Sequence, residues 1–196
     1  MVRTCMEPDK KQQLVETALS LFYRHGVHAV GINQILEQSA VAKKTLYHHF
    51  VSKDELLLAT LELRHQRFYQ WLEHQFNTSE NISPVDQLFD ALGFWFEGKA
   101  KPLGPFFGCY FQNCAAEYHG PDNTVLQLCA QHKRKVRDLV NTQLQSCQLS
   151  EETQSLLLDG LMLLKEGAIS MALVHADATV AQHAKQQARL LMQALR

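Results

Sequence analysis

The chain has 196 residues, enough for one sizeable core or for a small module joined to a larger one. Its 19 Lys/Arg and 20 Asp/Glu leave a net charge of -1, which argues against a bulk polyanion binder, and five cysteines with no CxxC pair argue against a disulfide scaffold. No apolar run approaches the roughly 18 residues of a membrane span, and the start, MVRTCMEPDKKQQ, lacks the apolar core of a signal peptide. The expected setting is the cytoplasm, with reduced thiols and no membrane partner. Residues 1–70 carry nine basic and seven acidic side chains, the remainder ten and thirteen, an asymmetry that permits a nucleic-acid-facing N-terminal part without demanding one.

Nearly every segment has a helical period and none alternates like a strand, so the expected class is all-α with about nine helices. Residues 10–25 place Leu14, Ala18, Leu21 and Phe22 on one face, and Gly26 fits a helix stop. A second helix is expected from Ile32 to Gln38, with Ile32, Ile35 and Leu36 inward and Asn33, Gln34 and Glu37 outward. A third runs from Ala42 to Phe50. The fourth starts with a capping box, Ser52 with Glu55, and continues to Phe76. A polar break over Asn77–Ser83 precedes Ser83-Pro84, a serine cap with proline in the first turn. Pro102, Gly104 and Pro105 mark a loop over 98–108. Helices are then expected over 106–118, 122–146, 151–175 and 179–195. The domains read as 1–52, a trihelical head joined through the helix at 53–76, and 53–196, a helical body.

The third helix has the opposed faces that groove binding needs. Leu46 and Phe50, with Ala42 in line, anchor it, while Lys43, Lys44, Thr45, Tyr47 and His48 point elsewhere. Lysines in a first turn sit beside free backbone N–H groups that also favour phosphate, and they can bond guanine edges in the major groove. Lys53, at the start of the next helix, is a further phosphate clamp. On its own a Lys-Lys face is more often a solvated one; the flanking helix, short turn and capped helix weaken that reading.

Residues 10–60 resemble the N-terminal domain of the TetR family of bacterial repressors. The resemblance rests on Leu21-Phe22 with Gly26, the Ile32–Ala40 helix, Thr45-Leu46-Tyr47 with His49-Phe50, and Ser52-Lys53-Asp54-Glu55-Leu56. It implies DNA contacts at Asn33, Lys43, Lys44, Thr45, Tyr47, His48, His49 and Lys53. Three positions depart from the family. Gly31 replaces a capping hydroxyl, Ala40 replaces the turn glycine and so must avoid a left-handed conformation or tolerate strain, and Ala42 replaces a capping serine.

In the body, Leu156–Leu158 and Leu161–Leu164 leave one helix apolar nearly all round, and Ala188, Leu191, Met192 and Leu195 stripe the last. Burial inside one chain or between two gives the same pattern. The resemblance, in which the last two helices form a four-helix dimer bundle, favours a homodimer through Leu157, Leu161, Leu164, Ala188, Leu191, Met192 and Leu195. Aromatics crowd the middle of the chain, mostly as core, and a small effector could be held among Phe94, Trp95, Phe107, Cys109, Phe111, Gln112, Asn113, Glu117, Met162 and Glu166. Gly108-Cys109 with Phe111, Asn113 and Glu117 resembles a motif at the inducer cavity of one TetR subgroup, in some members of which a cysteine senses electrophiles or oxidants; Cys109 would be that residue here.

The ten histidines show no metal-ligand spacing, so neither metal nor cofactor is expected. There is no nucleophile-base-orienter set and no phosphate loop, so an enzyme is not expected. The resulting expectation is a ligand-responsive transcriptional repressor, a homodimer on a palindromic double-stranded DNA operator, released by an unknown small-molecule effector. The alternatives are a sensor acting through Cys109, a helical scaffold without DNA, or an enzyme.

Overall fold

The structure, a computed structural model, describes residues 9–78, 82–120 and 123–195. Cys5, the centre of the expected break at 79–81 and the expected helix boundary at Pro121–Asp122 lie outside these residues. Among the described residues there are nine α-helices and no strand: α1 (Lys10–His25), α2 (Ile32–Ser39), α3 (Lys43–His49), α4 (Lys53–Asn77), α5 (Pro84–Phe96), α6 (Tyr110–Glu117), α7 (Thr124–Leu144), α8 (Glu151–His175) and α9 (Val180–Ala194). Short 3-10 turns occupy Lys101–Leu103 and Gln145–Cys147. Among the described residues no helix is long and apolar enough to cross a membrane.

Local chemistry sets most of the boundaries. The Asp9 side chain accepts from Lys11 N–H and starts α1; Ser52 Oγ accepts from Glu55 N–H at 3.1 Å and starts α4. The reciprocal half of that capping box is shifted by one residue, since the Glu55 carboxylate takes the N–H of Val51 at 2.5 Å. The helix expected over 106–118 is shorter. Gly108, at φ +81°, breaks the chain just before it, and the Asn113 side chain donates back to Phe107 O at 2.9 Å. A Cβ at Gly108 would also stand 2.7 Å from Leu173 Cδ2, so any other residue would strain the backbone angle and push the leucine tip aside.

Three departures in the head behave differently from one another. Gly31 and Ala42 sit at the N-caps of α2 and α3 with no side-chain cap hydrogen bond, so these two short helices lack what Ser52 gives α4. Ala40 does adopt the left-handed conformation, φ 51° and ψ 29°, and the fold carries that strain of roughly 1 kcal/mol rather than avoiding it. Ala42 itself is exposed, which removes it from the anchoring stripe: as the cap residue it precedes the helical register that puts Leu46 inward.

The head packs α1 against α4, α2 and α3, with Leu14, Ala18, Phe22, Ile35, Leu46 and Leu56 fully buried between them. The body is α4–α9, in which α9 lies along α5 and α8. Here the sequence expectation for a partner surface needs correction. Leu157, Leu161, Ala188 and Met192 are buried within the chain itself, and Leu164, Leu191 and Leu195 are half-buried against the same core. The cause is close approach of α8 and α9 at Gly160, whose missing side chain leaves room for Leu191.

Candidate nucleic-acid interface

Helix α3 has seven residues, and Leu46, fully buried, fixes which way it faces. Lys43, Lys44, Tyr47 and His48 recur at intervals of one, four and five, which on a helix is a single face, and all four are exposed. Thr45 and His49, four apart on another side of the helix, are half-buried, His49 against Phe50 with ring centroids 6.4 Å apart. Asn33 is exposed on α2. Lys53 is half-buried, its Nζ 5.8 Å from the centre of the Phe22 ring. Lys11, which the sequence reading passed over, holds its Nζ 5.8 Å from the Phe50 ring and adds a cation on the α1 side. The head therefore carries exposed or half-exposed cations and neutral donors on α1, α2, α3 and the start of α4 around an apolar core.

The head is tied to the body through α1 and the turn after it. Tyr23 Oη donates to Gly108 O at 2.7 Å and accepts from Phe107 N–H at 2.9 Å. Past the end of α1, the Glu117 carboxylate takes the N–H groups of Val27 at 2.8 Å and His28 at 2.6 Å, and meets the His28 ring Nδ1 at 2.9 Å. Burial alone would raise the Glu117 pKa, but these donors outweigh it and hold the carboxyl below the ordinary glutamate value. Gly26, at φ +87°, passes directly under this carboxylate, where a Cβ would stand 3.2 Å from Oε1.

The expected effector residues divide. Trp95, Cys109 and Phe111 line a cavity of about 10 Å³ with Arg64, His132 and Lys165, a space no larger than one water molecule. Phe107 lies instead in a separate pocket between α1, α4 and the turn at Lys101–Leu103, Phe94 and Gln112 are exposed, and Asn113 and Glu117 are used in the bonds above. Met162 is half-buried against the core. Glu166 bridges Lys133 Nζ at 2.5 Å and pairs with Lys165.

Around this cavity the body holds charge that the sequence reading missed. Lys165 is 3% exposed and Arg64 also 3%, and Lys133 Nζ lies 3.4 Å from Cys109 Sγ. Burial, with Lys133 beside it, lowers the Lys165 pKa; burial would raise Glu166, but the two lysines offset this and hold its carboxyl below the ordinary value. His132 stacks on Phe111 with centroids 3.5 Å apart, and its Nδ1 meets His65 Nδ1 at 3.0 Å. Burial first, then Lys133 and Lys165, push its pKa down to about 2. Sixty-seven residues separate the two histidines, so spacing along the chain could not have paired them.

Residues 14–60 match the family model described as bacterial regulatory proteins, tetR family. Among curated proteins, the chain is 27% identical to the HTH-type transcriptional repressor ComR of Escherichia coli over 127 residues, covering 64% of this chain and 59% of that one. It is 32% identical to the HTH-type transcriptional regulator TtgR of Pseudomonas putida over 90 residues, 45% of this chain and 41% of that one. The matches span from 19% to 59% of the curated relatives' lengths. The solved structure of SCO4454, a TetR-family transcriptional regulator from Streptomyces coelicolor, superposes with a TM-score of 0.83 at 25% identity, covering 96% of this chain and 91% of that one.

Proposed function

The chain belongs to the TetR family of bacterial regulatory proteins, and on that premise we propose that it is a cytoplasmic homodimeric repressor that binds a palindromic operator and is released by a small effector. The observation that carries this reading is the face of α3: Lys43, Lys44, Tyr47 and His48 are exposed together while Leu46, in the same two turns, is fully buried. One seven-residue helix buries too little DNA to discriminate alone, and a two-fold dimer reading two half-sites supplies the rest.

An apolar surface fit for a second copy lies on α8 and α9. Leu156, Leu163, Met171 and Val174 form a stripe along α8 with exposures of 54%, 76%, 49% and 76%, and Leu190 on α9 is 57% exposed. Apolar stripes of this kind mark protein interfaces. The effector would act by opening the space among Trp95, Cys109 and Phe111, since about 10 Å³ admits no metabolite. A ligand that binds only the opened body shifts the population towards it, and the Glu117 and Tyr23 bonds pass that change to α1.

Selecting sites from random duplex DNA should recover an inverted repeat. On the best site, Lys44→Ala and Tyr47→Phe should weaken binding, and Lys44→Ala should lower the salt slope by about one. Unchanged binding in both variants would remove α3 as the contact helix, and failure to enrich any duplex would remove the regulator reading.

A second reading, sensing through Cys109, is favoured by the Lys133 ammonium 3.4 Å from its sulfur. The thiol would lose its proton to solvent and bond the electrophilic carbon of the modifier, which takes a proton in turn. Intact-mass measurement on native protein treated with a maleimide should show addition at Cys109, and Cys109→Ser should abolish electrophile-induced release. No addition, or release unaltered by the serine, excludes this reading.

A further inference from the structure

We propose that the pocket between head and body is a binding site for a small oxyanion, a carboxylate or a phosphate. It is a cavity of about 220 Å³ bounded by α1, α4 and the loop around Lys101–Leu103, smaller than a drug-sized site and suited to a compact ion. Arg24, Arg64, Arg67 and Lys101 line it against a single carboxylate, Glu16, which Arg67 already engages at 2.6 Å. Ser20 adds a hydroxyl to the same wall. Among the described residues no carboxylate pairs with Arg24, Arg64 or Lys101.

Arg64 is the strongest indication. It sits in the buried stripe of α4, its Nη1 donates to Leu103 O at 2.6 Å, and its guanidinium lies 4.5 Å from the Tyr23 ring centre. Its Nη2 is buried with no hydrogen-bond partner. A buried cation without a counter-ion is costly, and burial accordingly lowers its pKa. Ring faces and one carbonyl compensate it in part; an oxyanion in the pocket that Arg64 lines would add the missing counter-charge beside it. Such an ion would touch α1 of the head and the loop of the body at once, and so brace the joint between them.

The test is calorimetric titration of the full chain, free of DNA, with inorganic phosphate and separately with succinate, at constant ionic strength set by chloride. At least one should bind saturably at one per chain, and the Arg24→Ala/Lys101→Ala double variant should weaken it by at least about ten-fold. Both side chains are exposed, so the fold should persist, as circular dichroism would check; Lys135→Ala, away from the pocket, should leave binding unchanged. Phosphate alone would assign the site to tetrahedral oxyanions, succinate alone to carboxylates. Absence of saturable binding by both, or equal affinity in the double variant, overturns the proposal. With no DNA in the cell, the result is independent of the operator reading.

Discussion

Replacing Glu166 with glutamine should destabilise the protein by about 3 kcal/mol, the lower end of the cost of breaking a buried ion pair from one side. The reason lies with its partner. Lys165 is 3% exposed and enters the core as a cation because one carboxylate faces it; Lys133 and Arg64 nearby are cations too. Glutamine keeps the shape and leaves the lysine ammonium uncompensated. The lower figure is chosen because Glu166 and Lys133 each retain 30% side-chain exposure, and water screens part of the loss. Urea unfolding of wild type, Glu166→Gln, Lys165→Met and the double variant measures it. The double variant should recover much of the loss, since methionine fills the lysine's space and leaves no buried ammonium for the neutral glutamine to compensate. A single-variant cost within a few tenths of a kcal/mol of zero would mean that Lys165 is neutral in the fold.

Stability should also fall with acid earlier than carboxylate protonation alone explains. The unfolded His132 ring titrates near 6.5, whereas in the fold burial and the nearby lysines hold its pKa down to about 2. Below 6.5 the unfolded chain therefore binds a proton that the folded chain refuses. Stability is fully present above that pH and declines by ~1.4 kcal/mol for each unit below it. His65, also lowered by burial and then by Lys135, contributes in the same direction. Glu166 acts in a lower window, losing its contribution only as pH falls below 4.5. Urea midpoints between pH 7.5 and 4.5 should show the slope, and His132→Gln should flatten it. Should that variant fold poorly, NMR of the wild-type ring is decisive: protonation of His132 near pH 6 would refute the assignment.

The head was legible because its signals are local. Gly26, the Ser52 cap of α4, and the four-residue step from Leu46 to Phe50 each act within a turn or two of chain, and each is found where the pattern put it, with only the Glu55 half of the capping box moved to Val51. The body was harder for a physical reason. Arg64 falls between Leu61 and Phe68 on α4, His132 between Cys129 and Val136 on α7, and Lys165 between Leu161 and Ala168 on α8, each in the buried stripe of its helix. A single polar residue in an apolar stripe reads as a tolerated interruption. Only packing shows that the three interruptions line one cavity. The same limit explains the partner surface. A helix apolar on all sides cannot declare which side meets its own α9, and Gly160, which decides it, has no side chain to count.

The bonds from Glu117 and Tyr23 carry a mechanical consequence. A module joined only by a continuous helix can pivot about it in any direction. A second anchorage restricts that freedom: α4 on one side and the Tyr23–Glu117 cluster on the other hold the head to the body at two separate places. The anchorage holds the far end of α1, so a small displacement of α6 beneath His28 would be returned as a larger sweep at α3, in the manner of a short arm driving a long one.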